Sequence, residues 1–72
     1  MNIITVYRDR DNWVARHSDP EISELFGTDT LPTAFMTTVP ARDVFDEIRK
    51  LNPSSEVRVL DLFGNVFYST DR

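Results

Sequence analysis

Ala41-Arg42-Asp43-Val44-Phe45-Asp46-Glu47-Ile48-Arg49-Lys50-Leu51 decides the fold. Its apolar members Ala41, Val44, Phe45, Ile48 and Leu51 fall at i, i+3, i+4, i+7 and i+10, which is one face of a helix. Charged residues occupy the rest. Acids lean toward the N-terminal end and bases toward the C-terminal end, as the helix dipole favours. Asn52-Pro53 stops the helix. A helix with one apolar face needs a partner layer, and the segments on both sides of it read as strands.

On the N-terminal side, Ile3 to Arg8 is rich in β-formers, and Ile4 and Val6 alternate with Thr5 and Tyr7. Asp9-Arg10-Asp11-Asn12 is a turn cluster. Asn12 to His17 follows, with Trp13, Ala15 and His17 on one side and Val14 and Arg16 on the other. The pair predicts a half-buried antiparallel hairpin. Asp19 is then a good N-cap, Pro20 suits the first helical position, and Gly27 suits a left-handed C-cap. Between them Ile22, Leu25 and Phe26 form a short apolar stripe, through which this two-turn helix is expected to dock. Residues 27–33 read as a turn or loop, because Pro32 blocks helix continuation. Ala34 to Val39 reads as a strand with Phe35 and Val39 on one face, placed at a sheet edge by the neighbouring prolines.

On the C-terminal side, Glu56 to Phe63 and Val66 to Thr70 flank Gly64-Asn65, read as a two-residue primed turn. That register sets Phe63 opposite Val66 and Leu62 opposite Phe67. One face then holds Val57, Val59, Phe63, Val66 and Tyr68, and the other holds Leu60, Leu62 and Phe67. Both faces are apolar, and one helix covers only one of them. The second needs the short helix, the Gly27–Pro40 arm or another chain, so a protein partner or a homodimer is expected there. The expected fold is one α+β domain over residues 1–72, in the order β-β-α-β-α-β-β. Its sheet is antiparallel, two hairpins and an edge strand, packed on one amphipathic helix.

Length and charge narrow the function. A core from 72 residues supplies about 3–5 kcal/mol of stability. There is no cysteine and one histidine, His17, so disulfides, thiolate metal sites and histidine-rich metal sites are excluded. No metal or other cofactor is expected. The apolar run after Met1 lacks a basic lead and is too short for a signal peptide or a membrane span, so a cytoplasmic protein with no membrane partner is expected. The net charge is −4, and the seven arginines and Lys50 are interleaved with acids, as in Arg8-Asp9-Arg10-Asp11. That mixing reads as a solvated surface and speaks against nucleic-acid binding.

Candidates for catalysis are few. His17-Ser18-Asp19 holds the residue types of a triad, but neighbours on a strand point to opposite faces. Asp9 with Asp11 and Asp43 with Glu47 are carboxylate pairs on solvated turns and faces, not a calcium loop. With Gly27 and Gly64 as its only glycines, the chain has no phosphate-binding loop. The reading is therefore a non-catalytic interaction module, not an enzyme. Its candidate contact residues are Trp13, which with Tyr7 and Tyr68 could form an aromatic strip, then Thr28, Asp29, Thr30, Pro32 and Phe35 in the threonine-rich arm, and Leu60, Leu62 and Phe67 on the last hairpin.

Two stretches carry a resemblance. A hairpin with Trp13-Val14-Ala15-Arg16, followed by Gly27-Thr28-Asp29-Thr30 before an amphipathic helix, resembles the HicB family of antitoxins over roughly residues 3–51. In that family a hairpin leads through a Gly-Asp-Thr segment into a helix. The present chain inserts a two-turn helix after the hairpin and about ten residues before the main helix. The resemblance implies an antitoxin or a nucleic-acid-associated regulator, with Arg8, Arg10, Arg16 and Arg58 expected on one surface beside Trp13 or Tyr68. The Leu25–Pro32 run is similar to segments of small bacterial proteins, and that likeness implies no activity.

Overall fold

A computed structural model describes residues 2–70. Seven elements follow in the order β1 (Ile3–Asp9), β2 (Asn12–His17), α1 (Pro20–Phe26), β3 (Thr30–Met36), α2 (Ala41–Leu51), β4 (Glu56–Leu60) and β5 (Val66–Ser69). The α+β class and the element order agree with the sequence reading. The sheet has five strands in the order β3-β2-β1-β4-β5. It is mixed rather than antiparallel throughout, because β1 and β4 pair in parallel, with Ile4 beside Val57 and Val6 beside Val59. The reason lies in α2. It returns the chain to the end of the sheet where β3 began, so β4 runs with β3 and, across two antiparallel steps, with β1.

The core lies between α2 and one sheet face. Ile4 and Val6 of β1, Trp13 and Ala15 of β2, and Val57 and Val59 of β4 meet Ala41, Val44, Phe45 and Ile48. The period-2 pattern of the strands and the 3.6-residue pattern of the helix thus bury each other. Leu51, on the last turn of α2, is exposed. Trp13 is fully buried, and its indole N–H donates to the Val39 carbonyl at 3.1 Å. This one bond ties the central hairpin to the connection between β3 and α2.

The first hairpin forms as expected, with a two-residue turn, Arg10-Asp11, between the paired Asp9 and Asn12. Three other expectations need correction. The third strand is Thr30–Met36, not Ala34–Val39, and so begins inside the segment expected to be a loop. It is indeed an edge strand, and an edge tolerates Pro32 because no ladder bond is required of it on the outer side. A bulge opposite Asn12–Val14 sets its register. The Thr33 hydroxyl donates to the Trp13 carbonyl at 2.7 Å and accepts from the Phe35 N–H, while the Asn12 amide donates to the Thr33 carbonyl.

The short helix carries the expected caps. Asp19 accepts from the Glu21 N–H, and Gly27 has φ +73°. It does not dock through its stripe. Ile22 is half-buried, but Leu25 is 78% exposed and Phe26 is exposed. The His17 N–H donates to the Asp29 carbonyl at 2.7 Å, which closes residues 18–28 into an excursion beyond the sheet end. Asn2 anchors its start, its side-chain oxygen accepting from the backbone N–H groups of Ser18 and Asp19.

The last hairpin is shorter than expected. Its strands end at Leu60 and resume at Val66, around residues 61–65. Asp61 takes over the turn. Its carboxylate accepts from the N–H groups of Phe63 (2.8 Å) and Asn65 (2.9 Å), and Gly64 donates back to the Asp61 carbonyl with φ +84°. Asp at the first turn position and glycine in the left-handed fourth is a stable combination that overrides the Gly64-Asn65 reading. The pairing is Val59 with Tyr68 and Leu60 with Val66, with a bulge between them, in place of Phe63 with Val66 and Leu62 with Phe67. Replacing Asp61→Ala removes both accepted bonds and should cost about 1–2 kcal/mol. The check is the urea midpoint; no shift would mean the backbone turn needs no side-chain anchor.

Candidate functional site

The corrected register of the last hairpin rearranges its apolar residues. Val57, Val59 and Tyr68 face α2, and the Tyr68 ring stacks on Phe45 at 5.6 Å. Leu60 is half-buried. The four remaining large apolar side chains of this hairpin are exposed. Leu62 and Phe63 occupy the turn tip at 79% and 88% exposure, and Val66 and Phe67 begin β5 with more than half their surface exposed. Phe67 stacks on Tyr68 at 4.8 Å, which connects the outer cluster to the core through a run of rings, Phe67, Tyr68 and Phe45. The tip is held by Asp61 from behind, so the apolar side chains are presented on an anchored turn. They lie at the edge of the sheet, since no strand pairs beyond β5 among the described residues.

Of the residues singled out from sequence, Leu62 and Phe67 are among these exposed side chains, and Leu60 is half-buried beside Val66. Phe63 and Val66 were assigned to the helix-covered face, and the structure exposes them instead. Phe63 falls in the turn rather than in a strand, and Val66, two residues before Tyr68 on β5, is exposed although its alternation puts it on the Tyr68 side. The signal that could have found them was the Asp61-to-Gly64 spacing. Trp13 is interior. Tyr7 lies on the opposite sheet face from Trp13, and Tyr68 is against α2, so no aromatic strip forms. Thr28, Asp29 and Thr30 are engaged with one another: the Thr28 hydroxyl accepts from the Thr30 N–H, and the Thr30 hydroxyl donates to Asp29 at 3.0 Å. Pro32 is exposed on the β3 edge, and Phe35 packs against the core.

A second apolar feature is a groove of about 280 Å³ between β3 and the C-terminal end of α2, lined by Leu31, Pro32, Phe35, Ile48 and Leu51, with His17 at one side. It arises because a single helix cannot cover five strands. On the uncovered sheet face, Arg16 and Arg58 flank Thr5 across neighbouring strands and border a shallow depression of about 540 Å³. Arg58 is ion-paired to Glu56, and Arg16 lies over the Tyr7 ring. Arg8 is on the other face, its guanidinium 4.2 Å from the centre of the Trp13 ring. Of the four arginines expected on one surface, Arg8 is therefore on the opposite face from Arg16 and Arg58, and Arg10 lies in the β1–β2 turn.

The members of the His17-Ser18-Asp19 trio each have a structural partner. His17 Nδ1 is 3.4 Å from the Asn2 amide, the Ser18 hydroxyl accepts from the Ile3 N–H at 2.7 Å, and Asp19 caps α1. Together they join the start of β1 to the excursion after β2. Among the described residues no helix is long and apolar enough to cross a membrane.

No family model, curated protein or solved structure matches the chain.

Proposed function

We propose that the protein is a non-catalytic interaction module whose contact surface is the β4–β5 end of the sheet. The supporting observation is the exposure of four large apolar residues within six positions, Leu62 and Phe63 on the turn that Asp61 anchors and Val66 and Phe67 at the start of β5. Exposing two phenylalanines, a leucine and a valine within six residues of sequence has a solvation cost, and exposed apolar surface of this kind marks interaction sites. Rigid aromatic anchors are also what interfaces use as hot spots. The turn supplies both the residues and the preorganisation, so little ordering is needed when a partner covers them.

The experiment is photo-crosslinking in the native host, with a photoreactive amino acid at position 63 and, as control, at Glu47 on the exposed face of α2. Protein adducts at position 63 and few at position 47 are the expected result. Equal adduct yields at both positions, or none at position 63, would overturn the proposal.

A further inference from the structure

We infer that the depression on the uncovered sheet face is a binding site for a phosphate group, free or carried by a small molecule, held between Arg16 and Arg58 over Thr5. The inference does not depend on the reading of the hairpin as a contact surface.

The strand register brings the residues together. Thr5 of β1 pairs with Arg16 of β2 on one side and with Arg58 of β4 on the other, so the three stand abreast on neighbouring strands. Each alternates with buried neighbours, Ile4 and Val6, Ala15, or Val57 and Val59, and therefore points away from α2. Neighbouring strands lie about 4.7–4.9 Å apart, which sets the two arginine Cα atoms about 10 Å apart with Thr5 between them. Long side chains on that spacing can close on one small anion from opposite sides. Ser18, Pro20 and Ser23, from the excursion after β2, line the same depression.

Charge decides the class of ligand. Arg58 is ion-paired with Glu56, which occupies part of a guanidinium that carries five N–H donors. Asp29 is the one carboxylate lining the depression among the described residues, and it accepts from the Thr30 hydroxyl. Arg16 lies over the Tyr7 ring and pairs with no carboxylate among the described residues. It is thus a cation with donors to spare, facing a recess of about 540 Å³. Donors arriving from two sides, with a threonine between them, suit the tetrahedral oxygens of phosphate better than a planar carboxylate, which a single guanidinium satisfies. The recess is wider than one phosphate and leaves room for the rest of a small molecule against Ile3 and Pro20. The net charge of −4 opposes any anion. Its exposed contributors on α2, Asp43 and Glu47, lie across the sheet, and at physiological salt the Debye length is about 8 Å, so they are largely screened.

The test is a titration of the full chain with inorganic phosphate, glycerol 3-phosphate, acetate and oligothymidylate at matched ionic strength, followed in ¹H–¹⁵N spectra. Saturable shifts centred on Thr5, Arg16 and Arg58 are expected, with Kd on the order of 1 mM for inorganic phosphate and no saturation by acetate. Tighter binding of glycerol 3-phosphate would identify the ligand as a phosphate monoester, and equal binding would identify it as free phosphate. Arg16→Met keeps the apolar stem and should weaken phosphate binding about tenfold through loss of a charge-assisted partner, with an unchanged circular dichroism spectrum. Arg42→Met, exposed on α2, should leave binding as it is. Asp29→Asn removes the carboxylate from the rim and should tighten binding. Shifts that never saturate, acetate binding as tightly as phosphate, or full binding by Arg16→Met would overturn the site. Oligothymidylate binding far more tightly than either phosphate compound would also overturn it, in favour of a nucleic-acid surface. Should Arg16→Met fail to fold, Asp29→Asn decides: binding no tighter than the parent's overturns the site.

Discussion

Trp13→Ala is expected to leave the chain largely unfolded at 25 °C. Trp13 is completely buried in β2, where it takes part in the sheet side of the core. Truncating a buried tryptophan costs about 3–5 kcal/mol. A core of this size supplies about the same amount in total, so the deficit consumes the whole margin. Two further contacts go with the ring: the indole bond to the Val39 carbonyl and the stacking of Arg8. Trp13→Phe separates these terms. It keeps an aromatic ring in the core and loses the indole donor, at about 1 kcal/mol for the hydrogen bond and a similar amount for the lost volume. Circular dichroism and amide dispersion in a ¹H–¹⁵N spectrum are the measurements. A cooperative, folded Trp13→Ala protein less than 1 kcal/mol below its parent would mean that Trp13 is not central to the core.

Trp13 also shows what the sequence made legible. Its alternation with Val14 placed it on the same side as Ala15, and the structure agrees. What the alternation did not contain was which layer would cover that side. Ala41–Leu51 was readable to the residue because eleven positions repeat one period, and local agreement at that length leaves little room for alternatives. The failures occurred where two local signals competed. Pro32 was read as a breaker, yet an edge strand accepts it, and Thr33 and Asn12 supply the bonds that fix the bulge. At the last hairpin, Gly64-Asn65 competed with Asp61 for the turn. The side chain of Asp61 decided the outcome by accepting from two N–H groups. That choice determined whether Phe63 and Val66 were core or surface, so the candidate site was legible in composition but not in membership. The stripe of α1 was real, but the bond between His17 and Asp29 holds the helix past the sheet end, which no local pattern encodes. The parallel joint of β1 and β4 follows from the path of the whole chain and has no local signature either.

Val44→Asp should unfold the protein at pH 7 even though it places an acid where the helix dipole welcomes one. Val44 lies on the first turn of α2, beside the exposed Asp43. An acid near a helix N-terminus gains about 0.3–1 kcal/mol. Against this stand the apolar transfer lost with valine, about 1.5–3 kcal/mol, and the penalty of burying a carboxylate, several kcal/mol. Val44 is fully buried in the cluster with Val57 and Val59, so burial outweighs the dipole by several-fold. The pH dependence follows from the sign of the effect. Burial favours the neutral form, so the folded-state pKa of the new carboxyl lies above its unfolded value of about 3.9. The deficit relative to the parent protein should then narrow as pH falls toward 4, and widen again as pH rises and unfolding releases the carboxyl to ionise. Asp43→Asn, one residue away and in solvent, should change stability by about 0.5 kcal/mol or less. Urea titrations of the parent and both variants at pH 4 and pH 7 test this. A Val44→Asp protein that stays folded at pH 7, or whose deficit is the same at both pH values, would show that α2 does not bury this position against the sheet.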